Sequence, residues 1–486
     1  MTTNFNALAG EHDLYNENPF FKNIQDPNAF AVYVPSMQPA YAQGITKEQK
    51  MLRDRGDYPH FFDGWTLDFT DQCNGLFYYP IFLLSLGTFM NCSSEEIGYE
   101  FIREKREHFG DPAMPFFPMC ESYRLADSGG LQLARGQWDF DVATATEPQK
   151  EELFEKVLRN QQLFADMAVV LDYPTEGVLK KTIESARECA DFQIESMAYF
   201  EKHRDPNSDT LFLNVLQGDT HEDREHHYEA TKQFEFTSGV CISFRAYGED
   251  FGSVIYWIWR MLKEKYLSPG GRFHVHFLGV GHLRAAVAFT RIQQAVRRHW
   301  NFPEFTITFD SSTPFMLAGR FNKAVGDAII TRNEIRLPLY GPISQLSNVS
   351  NDMGFPARCG PIHTQTSVSD YFQDASEDGA ARVVDPLGYQ LLMAGNVYAT
   401  IKAIHSINHK ANLAILHPDI IADIPPQIFE LDDAVNRAFG ALNEDVLHSI
   451  LGDNFEALSY FGGKQFKPRD AISDEDFDPS YMDLEE

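Results

Sequence analysis

Paired cysteines, long unbroken apolar runs and positive charge are all scarce in this 486-residue chain. The six cysteines, Cys73, Cys92, Cys120, Cys189, Cys241 and Cys359, are scattered with no CxxC pair. That spacing argues against a disulfide framework and a cysteine zinc site, and fits a reducing cytoplasm. The longest apolar run, Leu76 to Met90, is broken by Pro80, Ser85 and Gly87. It falls short of the roughly 18 residues that span a bilayer and reads as a buried strand or core segment. The first twenty residues are polar and acidic, unlike a secretory leader.

Lysine and arginine total 41 against 70 acids, a net charge of −29. On its own this argues against a polyanionic partner. The charge is unevenly spread, however. Residues 470–486 hold eight acids and no Lys or Arg and read as a solvated tail. Residues 261–300 carry Lys263, Lys265, Arg272, Arg284, Arg291, Arg297 and Arg298 against one acid, Glu264. Taken alone, such a block is an ordinary solvated helix face. If the chain does meet nucleic acid, Lys263, Lys265, Arg272 and Arg284 are the first candidates for phosphate contacts.

From residue 119 onward short β-rich runs alternate with helical patterns. Strands are expected at 123–128, 167–172, 211–217, 240–246, 274–281 and 305–310. Helices are expected at 147–164, 178–202, 221–234, 252–266 and 282–299. In the first of these, Leu153, Phe154, Val157 and Leu158 form one apolar stripe. Repeated strand, helix, strand means parallel strands with helical crossovers. Six such units plus two earlier strands make an eight-stranded (β/α)8 TIM barrel of the α/β class. An open doubly wound sheet is the alternative, but no GxGxxG follows the first strand.

The expected organisation is an irregular N-terminal layer over 1–70, with one strand-like run at Ala31-Val32-Tyr33-Val34, and the barrel over 71–335. A helix is also read at Ser93–Phe109 and a loop at Pro112–Pro118. A mostly helical elaboration over 336–465, with helices at 386–408 and 432–451, and an acidic tail over 466–486 complete it.

Polar residues close successive strands: Asp127, Asp172, Gln217, Arg245, the Gly279-Val280-Gly281 turn and Asp310. In a barrel of this kind the strand ends build the active site. Two converging carboxylates suit substitution at a sugar anomeric carbon, one attacking and the other handling the proton of the leaving group. If water is kept out, another base can take the sugar. His274 and His276 share one face of a strand and read as barrel-lining rather than metal-holding.

The same stretches resemble the tRNA-guanine transglycosylase superfamily. The resemblance runs through Asp127-Ser128-Gly129-Gly130-Leu131-Gln132, Leu171-Asp172-Tyr173-Pro174-Thr175, Val215-Leu216-Gln217-Gly218, Leu278-Gly279-Val280-Gly281, and Phe309-Asp310 with Pro314, over about residues 120–320. It implies Asp310 as nucleophile at C1′ and Asp127 as general acid/base, with Asp172 and Gln217 hydrogen-bonding a guanine-like base. Ser128, Gly129, Gly130, Gln132, Ser243, Phe244, Arg245 and Leu278 would line the substrate, the Ser-Gly-Gly turn leaving room for a flipped nucleotide.

Two departures bear on the details. Ser243, Phe244 and Arg245 stand where the family has two glycines and a leucine, while Gly248 and Glu249 are kept. The family's CxCxxC with a distant histidine is missing: Cys359 stands alone, and the histidine position reads Gly395 before Asn396. Cys359 and His363 do not make a tetrahedral set, so neither zinc nor another cofactor is expected.

The subset most resembled is the phage and bacterial DNA transglycosylases that place 7-deazaguanines, such as 7-cyano-7-deazaguanine, into DNA. The partners so implied are DNA and a free 7-deazaguanine base, without a membrane. A helper protein or a second copy of the chain could supply positive charge, and the setting would be the cytoplasm, that of an infected host if phage-encoded. The alternatives are tRNA as acceptor and a non-catalytic nucleic-acid-binding paralogue.

Overall fold

The computed structural model describes residues 29–42, 44–45, 66–71, 74–87, 122–175, 185–244, 250–341, 343, 354–372, 384–418 and 423–462. The helix read at Ser93–Phe109, the loop at Pro112–Pro118, Arg245 with Gly248 and Glu249, and the acidic tail lie outside these residues.

Eight strands form one parallel sheet: β1 (Val32–Pro35), β2 (Ile81–Ser85), β3 (Tyr123–Asp127), β4 (Met167–Val169), β5 (Leu211–Leu216), β6 (Thr237–Ser243), β7 (His274–Leu278) and β8 (Thr306–Ser311). From β2 to β8 each pairs with the next, and β1 pairs with β8 in parallel, Val34 opposite Asp310. The ring closes between β1 and β2 through a parallel bridge from Ser36 to Leu83, with the Met37 N–H donating to the Leu83 carbonyl at 2.8 Å. The result is a nearly closed (β/α)8 barrel. The Ala31–Val34 run, which the sequence alone puts ahead of the barrel, thus supplies its first strand.

The crossover helices are α1 (Gly130–Ala134), α2 (Glu147–Phe164), α3 (Ala186–His203), α4 (His221–Thr231), α5 (Phe251–Lys263) and α6 (Leu283–His299). Several of their starts are capped by side chains that accept otherwise orphaned N–H groups. Ser185 accepts from Glu188, Thr220 from Asp223, and Asp250 from Gly252 and Ser253. The first residues of the helix expected at 178–202 lie outside those described.

Alternation along the strands explains why the barrel holds together. Val275 and Phe277 of β7 and Ile307 and Phe309 of β8 point outward, where Phe277 stacks on Phe289 of α6 at 4.2 Å and Phe309 lies 5.3 Å from the same ring. The other parity, His274 and His276 with Thr306, Thr308 and Asp310, points inward. Burial of the outward aromatics against the helix layer supplies the core, roughly 1.5–3 kcal/mol for each large side chain. The inward polar residues are tolerated because they are hydrogen-bonded, His274 and His276 to Thr308, Thr306 to the Glu304 carbonyl and Asp310 to the Gly279 N–H.

After β8 a short helix, α7 (Thr313–Gly319), leads to two small antiparallel strand pairs and then to α8 (Pro386–Leu416), α9 (Gln427–Phe439), α10 (Glu444–Asp453) and α11 (Phe455–Phe461). The long α8 packs against α7 and α6. Asn396, in its middle, donates to the carbonyls of Pro314 and Lys323 and accepts the Val325 N–H at 2.7 Å, which ties the elaboration to the barrel's last unit. Among the described residues no helix is long and apolar enough to cross a membrane.

Candidate active site

Asp127 is the last residue of β3, Asp310 the penultimate residue of β8, and Asp172 lies three residues beyond β4. All three therefore sit at the C-terminal mouth of the barrel. Strand β4 stops at Val169, earlier than expected, and Val170 to Pro174 follow as a loop.

The three carboxylates occupy unlike surroundings. Asp310 is buried, and its Oδ1 accepts the Gly279 N–H at 3.0 Å. Gly279 is at φ 71°, a conformation that aims its N–H at the carboxylate and that a side chain would strain. His276 Nε2 lies 3.3 Å from the same Oδ1. Asp127 is half-buried, and its Oδ2 accepts the Ser85 hydroxyl at 2.7 Å. Burial raises its proton affinity; the Ser85 hydrogen bond opposes that, and the negative charge of Asp310 adds to it. Asp172 is buried, with its Oδ1 accepting the Ser128 hydroxyl at 3.2 Å. Burial and then the charge of Asp127 push it up to about 7. One mouth thus holds an anchored carboxylate and two with enhanced proton affinity, the pattern by which unlike environments assign unlike acid and base roles.

The glycines of the Ser-Gly-Gly turn serve a different purpose from the one the sequence suggests. A Cβ on Gly130 would lie 2.4 Å from Asp172 Oδ1, and one on Gly129, itself at φ 85°, would lie 2.5 Å from the Gly87 backbone. The space belongs to Asp172 and to the chain after β2, not to a nucleotide. Ser128 likewise serves Asp172, and Gln132 Oε1 sits 3.4 Å from the Ser85 hydroxyl.

Gln217 is buried and committed to the protein. Its Nε2 donates to the Tyr173 carbonyl at 2.9 Å and its Oε1 accepts the Thr175 N–H at 3.0 Å. It holds the Asp172 loop in place rather than presenting an amide to a base. Phe244 follows the outward parity and packs among Phe251, Phe277 and Phe289, so it belongs to the core. Ser243 and Leu278, paired in register at the ends of β6 and β7, are half-buried at the mouth.

The basic stretch does not form a face. Helix α5 runs away from the mouth, which puts Lys263, Lys265 and Arg272 at the N-terminal end of the barrel, opposite the carboxylates. Lys263 donates to the Leu442 carbonyl and lies over Trp259 and Trp300, 5.2 and 5.4 Å from the ring centres. Arg272 donates to the Phe234 carbonyl at 2.7 Å and covers the Tyr266 ring at 4.1 Å. Arg291 and Arg297 are buried. Arg284 alone of the four candidates is at the mouth end, 5.1 Å over Tyr460 of α11.

Ser85 is the site residue that motif reading missed. Its signal was the interruption of the apolar run at Ser85 and Gly87, where β2 ends beside Asp127. In the C-terminal elaboration, the Cys359 thiol donates to Asp327 at 3.1 Å, and Lys402 pairs with the same carboxylate at 2.8 Å. His363 lies 4.8 Å from the Phe355 ring and against Gly395. Among the described residues no group of three or more His, Cys, Asp or Glu is placed to hold a metal ion.

Compared with known proteins, the chain matches no family model and no curated protein.

Proposed function

We propose that this barrel is a transglycosylase that exchanges guanine in DNA for a 7-deazaguanine through a covalent aspartyl-sugar intermediate. The observation that carries the reading is the gathering of Asp127, Asp172 and Asp310 at one barrel mouth in three different electrostatic settings. Asp310, anchored by Gly279, is the nucleophile: its carboxylate oxygen forms a bond to C1′ as the bond from C1′ to the base nitrogen breaks, and the electron pair leaves with the base. Asp127, whose proton affinity is raised, gives its proton to that base. The incoming base then loses its proton to Asp127 as its nitrogen attacks C1′, and the Asp310 carboxylate is released. Two inversions retain the configuration. Asp172 faces guanine's adjacent N1–H and amino donors with two acceptors, and Ser128, Gly130 and Gln217 hold it there.

DNA is proposed as the acceptor on the family resemblance, and the target base would leave the stack to reach the mouth. The test is incubation of the protein with labelled 7-cyano-7-deazaguanine or guanine and either duplex DNA or tRNA. Label should enter DNA. Label in tRNA alone overturns the acceptor, and label in neither overturns the reaction class. Asp310→Asn should abolish exchange while the free base still binds.

A further inference from the structure

Below Asp310 the barrel interior holds a chain of polar side chains that the exchange reaction as written does not use. Strands β7 and β8 are neighbours, with His276 opposite Thr308 and His274 opposite Thr306. His274, His276 and Thr308 are fully buried. The Thr308 hydroxyl touches both rings, His274 Nε2 at 2.7 Å and His276 Nδ1 at 2.7 Å. His276 Nε2 then faces Asp310 Oδ1 at 3.3 Å, without the alignment of a full hydrogen bond.

We infer that His276 is a positioning residue that presents Asp310 for attack through Oδ2, and that its Nε2–H tautomer is set by Thr308 and His274. The attack rests on the transglycosylase reading; the tautomer does not. The argument is a count of protons. A hydroxyl has one hydrogen, so at most one of the two ring nitrogens at 2.7 Å accepts from Thr308 and at least one donates to it. A bare nitrogen aimed at a carboxylate is repelled, whereas an N–H is attracted, so His276 carries its proton on Nε2. Its Nδ1 is then bare and accepts the Thr308 hydroxyl. The Thr308 oxygen in turn accepts from Nε2–H of His274, whose bare Nδ1 has no hydrogen-bond partner among the described residues. The opposite direction has two faults: it points a lone pair of His276 at Asp310 and leaves a buried N–H of His274 without an acceptor.

The consequence is at the carboxylate. Oδ1 faces two donors, the Gly279 N–H and His276 Nε2, while no described residue is hydrogen-bonded to Oδ2. One oxygen is held and the other left to react.

The test combines nitrogen NMR of the full-length protein, labelled at histidine and assigned with His274→Gln and His276→Gln, with exchange kinetics. Both rings should show protonated Nε2 and bare Nδ1. Thr308→Val, which leaves Asp310 alone to hold the Nε2–H form, should populate the Nδ1–H tautomer of His276 as well and lower kcat by about 10- to 100-fold, as loss of an orienting partner does at metal sites, with the KM for the base unchanged. Thr308→Ser, which keeps the hydroxyl, should restore both. A wild-type His276 protonated on Nδ1, or a Thr308→Val protein with wild-type tautomer and kcat, overturns the inference. Wild-type protein with the Nε2–H tautomer and no base exchange overturns the transglycosylase reading instead and leaves the tautomer assignment standing.

Discussion

The carboxylate of Asp172 occupies the volume that a side chain on Gly130 would need: a Cβ there would stand 2.4 Å from Asp172 Oδ1 and 2.5 Å from its carbonyl oxygen. The glycine after β3 and the acid after β4 are thus one device. Gly130→Ala should displace the Asp172 loop, weaken binding of the free base by at least tenfold, and cost about 1–3 kcal/mol of stability, as overpacking does. Calorimetric titration with the base and a denaturant melt measure the two effects separately.

Asp172 also carries a pH signature. Its folded-state affinity for a proton, pushed up to about 7, exceeds that of an unfolded aspartate near 4, so the folded protein binds the extra proton between those values. Stability from this group is present below about pH 4 and is lost as pH rises towards 7. Buried histidines with the opposite shift, His227, His274 and His363 among them, act in the other direction, so the effect is read as a difference. Asp172→Asn should gain on wild type as pH rises from 4 to 7, reaching on the order of 4 kcal/mol. Urea melts across that range test it, and a difference independent of pH would refute the assignment.

Ser85 lowers the proton affinity of Asp127 through its hydroxyl, against burial and Asp310. Removing it with Ser85→Ala should therefore move the ionisation of Asp127 further up. In a pH profile of base exchange the limb assigned to Asp127 should shift to higher pH, with kcat reduced about tenfold. An unmoved limb would separate Ser85 from the reaction.

His363 and Gly395 form a second close pair, in the C-terminal elaboration. The ring is buried with both nitrogens lacking a hydrogen-bond partner among the described residues, and a Cβ on Gly395 would lie 2.0 Å from Nε2. Gly395→Ala should destabilise by about 1–3 kcal/mol. The same substitution in a His363→Ala background should cost less, because the smaller side chain leaves room. His363→Leu should also lower the pH of acid unfolding. Burial drives the ring's affinity down to about 3, so wild-type stability from this group is whole above pH 6.5 and is lost as pH falls towards 3.

Arg272 provides a control for the proposed nucleic-acid contacts. Its guanidinium is spent on the Phe234 carbonyl, the Thr237 hydroxyl and the Tyr266 ring, at the end of the barrel away from the carboxylates. Arg272→Ala should lower stability by about 1–3 kcal/mol and leave DNA affinity unchanged. A fall in affinity with unchanged stability would return the basic stretch to the interface.

Much of this architecture is written in local pattern. The alternation of β-rich runs and apolar stripes from residue 119 onward marks six βα units, because each strand must be covered by a helix. The sites of Asp127 and Asp310 follow from the same pattern, since a polar residue at the end of a buried strand has the barrel mouth as its outlet. What sequence could not supply was partnership between distant stretches. Tyr33 of β1 donates to the carbonyl of Ser311 at 3.0 Å across 278 positions, and nothing in the irregular N-terminal composition announces that pairing.

Function at single positions divides along the same line. Composition and order by themselves determined a parallel α/β barrel with acids at its strand ends, because periodicity and strand-end chemistry are local. Only the tertiary structure decided that Gln217 serves the loop after β4, that Phe244 faces the helices, and that Ser85 touches Asp127. It also dispersed the basic stretch. Residues adjacent along the chain pass from one end of a barrel to the other within a single helix or strand, so Lys263 and Arg284 share a run of sequence and lie at opposite ends of the molecule. Charge along a chain is a one-dimensional quantity, and the field at the mouth depends on where the fold carries each charge.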